Sequence, residues 1–306
     1  MKQKTIVQVN QLRKVYGSTV AIDNVSFEVF EGEIFGIVGP NGAGKTTTIE
    51  CIEGLRKPDA GHIKVLELDP QRDGYALRPL IGIQLQESAL QSRIRVWEAL
   101  DLFSAFYPQS VDWQSLLSQL GLTEKRDTPF AQLSGGQKQR LFIALALVSN
   151  PVVVFLDELT TGLDPQARHA MWDLVREIRD RGKTIFLTTH FMEEAERLCD
   201  RIAIMDHGRI VALDSPENLI RTLGTENRIV FTVDGEFDQK HMSGLASVTR
   251  IEAIGQRVIV HGHDDGLVSD VVNALTSNGT RFRDLRTEQP TLEDVFLTVT
   301  GREMRD

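Results

Sequence analysis

Three short, almost uninterrupted apolar runs constrain this chain most: EIFGIV (33–38), VVVFLD (152–157) and TIFLTTH (184–190). Each gives way to helical spacing, in GPNGAGKTTTIECIEGL, QARHAMWDLVREIRDRG and FMEEAERLCD. Strands that are apolar on both faces must be covered on both, and helices alternating with them make the strands parallel. The expected class is therefore α/β, with a mostly parallel sheet. The carboxyl ends of parallel strands share one edge, where ligands of such folds bind. Here those ends carry the stretch from Gly39 to Lys45, the pair Asp157–Glu158, and His190.

Other segments attach to this frame. Residues 5–30 alternate apolar and polar with turn signals at YGS and DN, predicting short antiparallel strands. IAIMDHGRIVALD (202–214) reads as a hairpin turning at DHG. Between about residues 87 and 150 the strand signal disappears. VWEALDLFSAFY, WQSLLSQLGL and QKQRLFIALALV have helical periodicity instead, predicting a helical subdomain inserted in the sheet domain. The pattern changes again after residue 221. RIVFTV, a short helix near FDQKHMSGL, SVTRIEA, RVIVHG, the helix GLVSDVVNALTSNG and TRFRDLRT give a β-α-β-β-α-β order. That order predicts a small C-terminal α+β, ferredoxin-like lobe, closed by a helix over TLEDVFLTVTG with Thr291 as its cap. The expected division is residues 1–221 for the main domain and 222–306 for the lobe.

Composition narrows the classes of partner. The 306 residues carry a formal net charge of -9, with no basic tail or lysine run, which argues against nucleic acid. The start, MKQKTIVQVN, has no apolar signal core. No stretch reaches the ~20 apolar residues that cross a bilayer. The nearest, residues 141–156, is cut by Ser149, Asn150 and Pro151. Cys51 and Cys199 are far apart and lack metal-ligand neighbours, as expected of core thiols in a reducing cytoplasm.

GPNGAGKT (39–46) fits G-x-x-x-x-G-K-[ST] between a strand and a helix, the context that makes this motif specific. Gly39, Gly42 and Gly44 let the backbone, running through Pro40, Asn41 and Ala43, bend closely around phosphate oxygens. The helix start, through Thr46 and Thr47, adds N–H groups and partial positive charge. Lys45 supplies a full charge to the β- and γ-phosphates, and the Thr46 hydroxyl can ligate Mg²⁺. With that loop present, the acids of LDELTTGLDP (156–165) gain a purpose. Asp157 is placed to hold Mg²⁺, directly or through water. Glu158 can orient or deprotonate an attacking water, and His190 can contact the γ-phosphate. Taken singly, the acids could be a chance cap on a core strand, and a satisfied histidine at a strand end would be the better reading of His190. LSGGQKQR (133–140) adds an N-cap, Ser134, whose following glycines, Gly135 and Gly136, open helix N–H groups to an anion.

On these motifs the chain resembles the ATP-binding subunits of ABC transporters over about residues 5–220. GPNGAGKT looks like the Walker A loop, LSGGQ (with Gln137) like the signature sequence and VVVFLDE like the Walker B strand. TGLD resembles the D-loop, with Asp164, and THF the switch-histidine loop. Gln86 in IGIQLQES matches the Q-loop glutamine that touches Mg²⁺ or the water, with Gln84 as competitor. Tyr16 in KVYG matches the aromatic that stacks on adenine. The resemblance implies ATP and Mg²⁺ as cofactors and a head-to-tail dimer. In it, the signature helix of one subunit meets the ATP of the other, and Asp164 makes a contact across the dimer. It also implies a membrane permease on a separate chain, and a place on the cytoplasmic face of a prokaryotic cell membrane. QPTLEDVFLTVTGRE (289–303) looks like the closing segment of daunorubicin-resistance-type exporter ATPases. The family usually has proline where this chain has Leu159, a bulky apolar residue on a polar loop, and this departure leaves the carboxylates in place. Two other readings compete with the exporter: an ABC ATPase in a non-transport role, and a regulator that binds ATP without useful hydrolysis.

Overall fold

The computed structural model describes residues 3–86, 89–223, 227–234, 239, 242–262 and 266–301. The chain divides between Pro216 and Glu217 into two compact units. In chain order the first contains β1 (Thr5–Tyr16), β2 (Thr19–Phe30), β3 (Ile34–Val38), α1 (Lys45–Ile52), β4 (Ala60–Val65), α2 (Gly74–Leu77) and β5 (Ile81–Gln84). There follow α3 (Val96–Ser104), α4 (Trp113–Gln119), α5 (Gly135–Leu147), β6 (Val153–Asp157), α6 (Pro165–Asp180), β7 (Thr184–Thr189), α7 (Met192–Leu198), β8 (Arg201–Asp206) and β9 (Arg209–Asp214). A short helix, α8 (Pro216–Arg221), lies at the division, so the boundary expected after residue 221 sits one helix further on.

The six-stranded sheet has the order β5-β6-β7-β3-β8-β9 and is parallel except for β9. Its register aligns the strand ends that carry chemistry: Gln84 pairs with Leu156, Asp157 with Thr188 and Val38 with Thr189. Every residue of β3, β6 and β7 is buried, as apolar runs covered on both faces require. Phe35, Phe186 and Phe155 are register neighbours on one face, their ring centroids 5.6 and 5.5 Å apart. Phe27 of β2 stacks on Phe35 at 5.1 Å and so binds the antiparallel sheet β2-β1-β4 to the parallel one. Such aromatic contacts add about 0.5–1.5 kcal/mol each beyond the area they bury.

The expected short strands over 5–30 are instead two twelve-residue strands. The turn falls at Gly17, as YGS predicts, but Asp23–Asn24 lies inside β2. Asn24 and Gln11 have positive φ (56° and 51°), and the β1–β2 register slips between Val9 and Lys14. These residues accommodate irregularities in continuous strands, where a turn reading expects the chain to reverse. Two strands give no clear sequence signal, β4 and β5. In β5 the reason is Gly82: a Cβ there would lie 2.3 Å from the Ala146 carbonyl oxygen, so close approach of α5 demands glycine.

The second unit holds β10 (Asn227–Val233), β11 (Val248–Ile254), β12 (Arg257–Gly262), α9 (Leu267–Ser277), β13 (Phe282–Glu288) and α10 (Leu292–Thr300). Its sheet, β11-β12-β10-β13, is antiparallel throughout. Ile229, Phe231 and Val233 alternate along β10 into one core with Leu267, Val271 and Leu275 of α9. Thr291 and Asp294 form a capping box at the start of α10, and Arg228 holds Asp294 at 2.6 Å. The helix expected near FDQKHMSGL (237–245) falls partly outside the described residues, and residues 302 and 303 of the closing segment lie wholly outside them.

One buried group in the first unit has a consequence for stability. Glu53, just past the end of α1, is 7% exposed, and among the described residues neither carboxylate oxygen has a hydrogen-bond partner. Burial, reinforced by Asp157 and Glu50, pushes its pKa from 4.5 up to about 9. The acid is therefore protonated in the fold at neutral pH and ionised when the chain unfolds. Stability is full below the unfolded value and declines as pH rises toward the folded one. Glu53→Gln should raise stability at pH 7 by roughly 2–3 kcal/mol, with a gain that vanishes near pH 4.5. Urea midpoints of both proteins at acid and neutral pH check this.

Candidate active site

The loop between β3 and α1 fixes the first side of the site. Gly44 sits at φ 103°, and a Cβ on it would lie 2.4 Å from the Ala21 carbonyl oxygen. A Cβ on Gly39 would lie 2.1 Å from the Met205 carbonyl oxygen. Both positions therefore require glycine, and the loop is held in a tight cradle that opens on the start of α1. Lys45 is the first residue of that helix and is 4% exposed. Its Nζ donates to the carbonyls of Gly39 at 2.9 Å and Pro40 at 3.1 Å, and lies 3.6 Å from Glu158 Oε1. Burial pushes the lysine pKa down, while Glu158 and Asp157 act against it.

The second side comes from β6 and β7. Asp157 ends β6, 3% exposed, and accepts a short hydrogen bond from Thr188 of the neighbouring strand. Burial pushes its carboxyl above the ordinary range, helped by Glu158. The Thr188 and Thr46 hydroxyls and Lys45 pull the other way. Glu158 has φ 48°, and its N–H donates to the Thr188 carbonyl at 3.1 Å. This left-handed residue turns the chain sharply off the strand and brings the two carboxylates into one site. Glu158 Oε2 accepts from Gln86 Nε2 at 2.9 Å and Thr161 Oγ1 at 3.3 Å, and Oε1 lies 3.5 Å from His190 Nδ1. Gln86, Glu158, Lys45 and His190 thus meet in one place.

A cleft lined by Tyr16, Ala21, Asn41, Gly42, Gly44, Lys45, Thr46, Thr47, Gln86 and Glu158 opens over this cluster. Tyr16, at its rim, is 39% exposed, with Lys14 Nζ 5.5 Å and Arg56 Cζ 5.3 Å from its ring centroid. Gln84 does not reach this cluster. It is 2% exposed and its Nε2 donates to the Leu85 carbonyl at 2.6 Å. Ser134 caps α5: its Oγ accepts from Gln137 N, and Gln137 Oε1 accepts from Ser134 N. None of Ser134, Gly135, Gly136 or Gln137 lines the cleft over Lys45. Gly135 instead borders a second, smaller cleft with Gln86 and Thr161. Asp164 is exposed and caps α6 by accepting from Ala167 N at 2.9 Å.

Thr188, Thr161 and Phe191 also touch the cluster, and the motif reading did not single them out. The pairing of Asp157 with Thr188 is a property of sheet order, which the apolar runs alone do not give. Leu159 departs from its expected surroundings. It is 3% exposed, tucked under the loop instead of standing on it. Leu159→Pro should change turnover by less than about fivefold while costing roughly 1–2 kcal/mol of stability. The ring fills less of the buried volume, and residue 158 must hold a positive φ that a following proline disfavours. A urea titration beside a steady-state ATPase assay checks both halves.

The Thr46 hydroxyl, the Gln86 carbonyl and the Asp157 carboxylate are hard oxygen donors of the type Mg²⁺ takes. Among the described residues no cluster of three His, Cys, Asp or Glu side chains could hold a metal. One carboxylate beside a hydroxyl and an amide oxygen suits an ion completed by water and phosphate oxygens.

The fold and this cleft define a P-loop ATP-binding cassette. A profile of the ABC transporter family matches residues 22–161. The chain is 38% identical over 311 residues to the Nod factor export ATP-binding protein I of Ralstonia nicotianae, covering 98% of this chain and 95% of that one. It is 40% identical over 307 residues to the protein of the same name in Burkholderia orbicola, covering 98% of each. An ATP-binding subunit of an ABC transporter superposes with TM-score 0.65 at 30% identity, covering 72% of this chain and 94% of that one. A dimeric bacterial ABC transporter cassette does so with TM-score 0.61 at 28% identity, covering 68% and 98%. The chain belongs to the family of ABC transporter ATP-binding subunits. Like them it is an ATPase that binds ATP.

Proposed function

We propose that the chain powers an ABC exporter, its ATPase domain (residues 1–221) acting on a polytopic permease encoded separately. The observation that carries this reading is the convergence of Lys45, Gln86, Asp157, Glu158 and His190 at one sheet edge. A regulator without useful hydrolysis would not need all five together. Residues 39–47 cradle the phosphates, with Lys45 against the β- and γ-oxygens. Thr46, Gln86 and Asp157 would hold Mg²⁺, which would supply positive charge beside the phosphate oxygens. Glu158 orients the attacking water and accepts its proton, and His190 contacts the γ-phosphate. Tyr16 stacks on adenine. Tyr16→Ala should therefore raise KM for ATP about tenfold at nearly unchanged kcat, as loss of one base–aromatic stack implies.

Residues 134–137 lie off the cleft, and this supports a head-to-tail homodimer. In such a dimer Ser134, Gly135, Gly136 and Gln137 of one subunit complete the site of the other, and Asp164 makes a cross-dimer contact. ATP closes the dimer; hydrolysis and release reopen it. The name shared by the relatives at 38–40% identity, which match nearly the whole chain, supports an export role. The closing segment QPTLEDVFLTVTGRE supports a daunorubicin-resistance-type subfamily, with residues 222–306 as an accessory ferredoxin-like lobe. No described helix is long and apolar enough to cross a membrane. The subunit would sit on the cytoplasmic face of a prokaryotic membrane through its permease. Detergent extraction of membranes, followed by affinity purification and an ATPase assay, tests this. Co-purification with a polytopic protein supports the exporter, whereas persistent association with ribosomes sinks it in favour of a non-transport role.

A further inference from the structure

His190 projects from the end of β7, yet its neighbours are not confined to that strand. Its ring lies 4.1 Å, centroid to centroid, from Phe191, at an interplanar angle of 42°. Phe191 is in turn covered by a cation from another element: Arg168 Cζ of α6 stands 4.1 Å from its centroid. This is well inside the distance at which a guanidinium is attracted by a ring face. Arg168 Nε is buried and has no hydrogen-bond partner among the described residues, and the guanidinium rests on the ring.

The contact is the first of a series. α6 and α7 follow neighbouring parallel strands, and their helical spacing matches. Arg168, Trp172 and Arg176 lie four residues apart on α6, while Phe191, Glu194 and Arg197 lie three apart at α7. Trp172 Nε1 donates to Glu194 Oε1 at 2.9 Å in the buried interior, and Arg176 Nη2 donates to the Arg197 carbonyl at 2.9 Å. Two oriented hydrogen bonds behind the Arg168–Phe191 stack hold the two helices in one register. The same α6 is capped by Asp164, whose carbonyl accepts from Arg168 N at 2.9 Å. One helical turn therefore separates the residue expected to face a second subunit from the cation resting on Phe191.

We propose that Arg168, acting through Phe191, is a positioning residue for His190. It ties the histidine ring, and with it the His190–Glu158 approach, to the start of α6. The inference rests on the proposed role of His190 at the γ-phosphate. If α6 shifts when a partner subunit seats against Asp164, the guanidinium moves with it, and the rings follow because they are packed against one another, their centroids 4.1 Å apart. The site that hydrolyses ATP is thereby aligned by the segment that meets the partner.

Turnover of the full chain, measured with Arg168→Gln, Arg168→Lys and His190→Ala, tests this. Arg168→Gln should lower kcat about tenfold with KM for ATP within about twofold, the scale of a desolvated cation–π contact. Arg168→Lys keeps a cation over the ring and should recover most of that loss. Under single-turnover conditions, adding Arg168→Gln to His190→Ala should cost nothing further, because the arginine acts only through the histidine. Wild-type kcat in Arg168→Gln, equal losses for the Gln and Lys variants, or an independent loss in the double variant each overturns the proposal. Undiminished turnover in His190→Ala overturns it differently, by removing the role of His190 itself. If Arg168→Gln lowers the melting temperature strongly, Phe191→Leu breaks the same link from the other side. It should reproduce the kcat loss, and a wild-type kcat there also overturns the proposal.

Discussion

Glu158→Gln should lower the rate of ATP hydrolysis by about 10²–10⁴-fold, the usual contribution of a positioned general base, while MgATP binding persists. The geometry explains why the two effects separate. Glutamine is nearly isosteric and can still accept from Gln86 and Thr161, at the 2.9 and 3.3 Å positions the carboxylate now occupies. It cannot take a proton from water. Removing one of two adjacent carboxylates also eases the repulsion that Glu158 imposes on Asp157 and on incoming phosphate. The variant should therefore hold MgATP at least as tightly as the wild type and accumulate in the closed dimer. Single-turnover hydrolysis, with size-exclusion chromatography in MgATP, checks both statements. Wild-type-like turnover would remove Glu158 from its assigned role.

Lys45→Ala should weaken ATP binding by about a hundredfold or more, the cost of deleting one member of a desolvated charge pair. Lys45 is buried among its own loop carbonyls and Glu158, so its charge is poorly screened and counts for more than a surface lysine's. Alanine leaves Asp157 and Glu158 facing the phosphates without that cation. The prediction contrasts with the first: here KM and kcat both suffer, whereas Glu158→Gln spares binding. Equilibrium binding of a fluorescent ATP analogue to the full chain measures the affinity change, and retention of wild-type affinity would exclude the phosphate contact.

That Lys45, Gln86, Glu158 and His190 meet in one candidate site could be read from residues because backbone and side-chain chemistry coincide there. A strand, a glycine loop and Lys-Thr opening a helix have few other physical uses. The acids after VVVF and the histidine after TIFLTT fall at strand ends for the same reason that their strands are apolar. The choice between Gln84 and Gln86 was different, since two glutamines two residues apart are chemically alike. Packing separates them: Gln84 points into the interior against Leu85, while Gln86 reaches Glu158. Leu159 looked like an exposed anomaly because its neighbours are polar, yet the positive φ at Glu158 turns the chain so that its side chain is buried.

The amino-acid order by itself determined the α/β class, the phosphate loop and which residue types stand at the strand ends. These follow from local periodicity and from chemistry a few residues long. Tertiary structure alone decided that β3 lies between β7 and β8, that Thr188 bonds Asp157, and that Arg168 rests on the ring beside His190. Strand order and helix register are set by burying apolar surface between segments remote in the chain, and no local pattern records which remote segment that is.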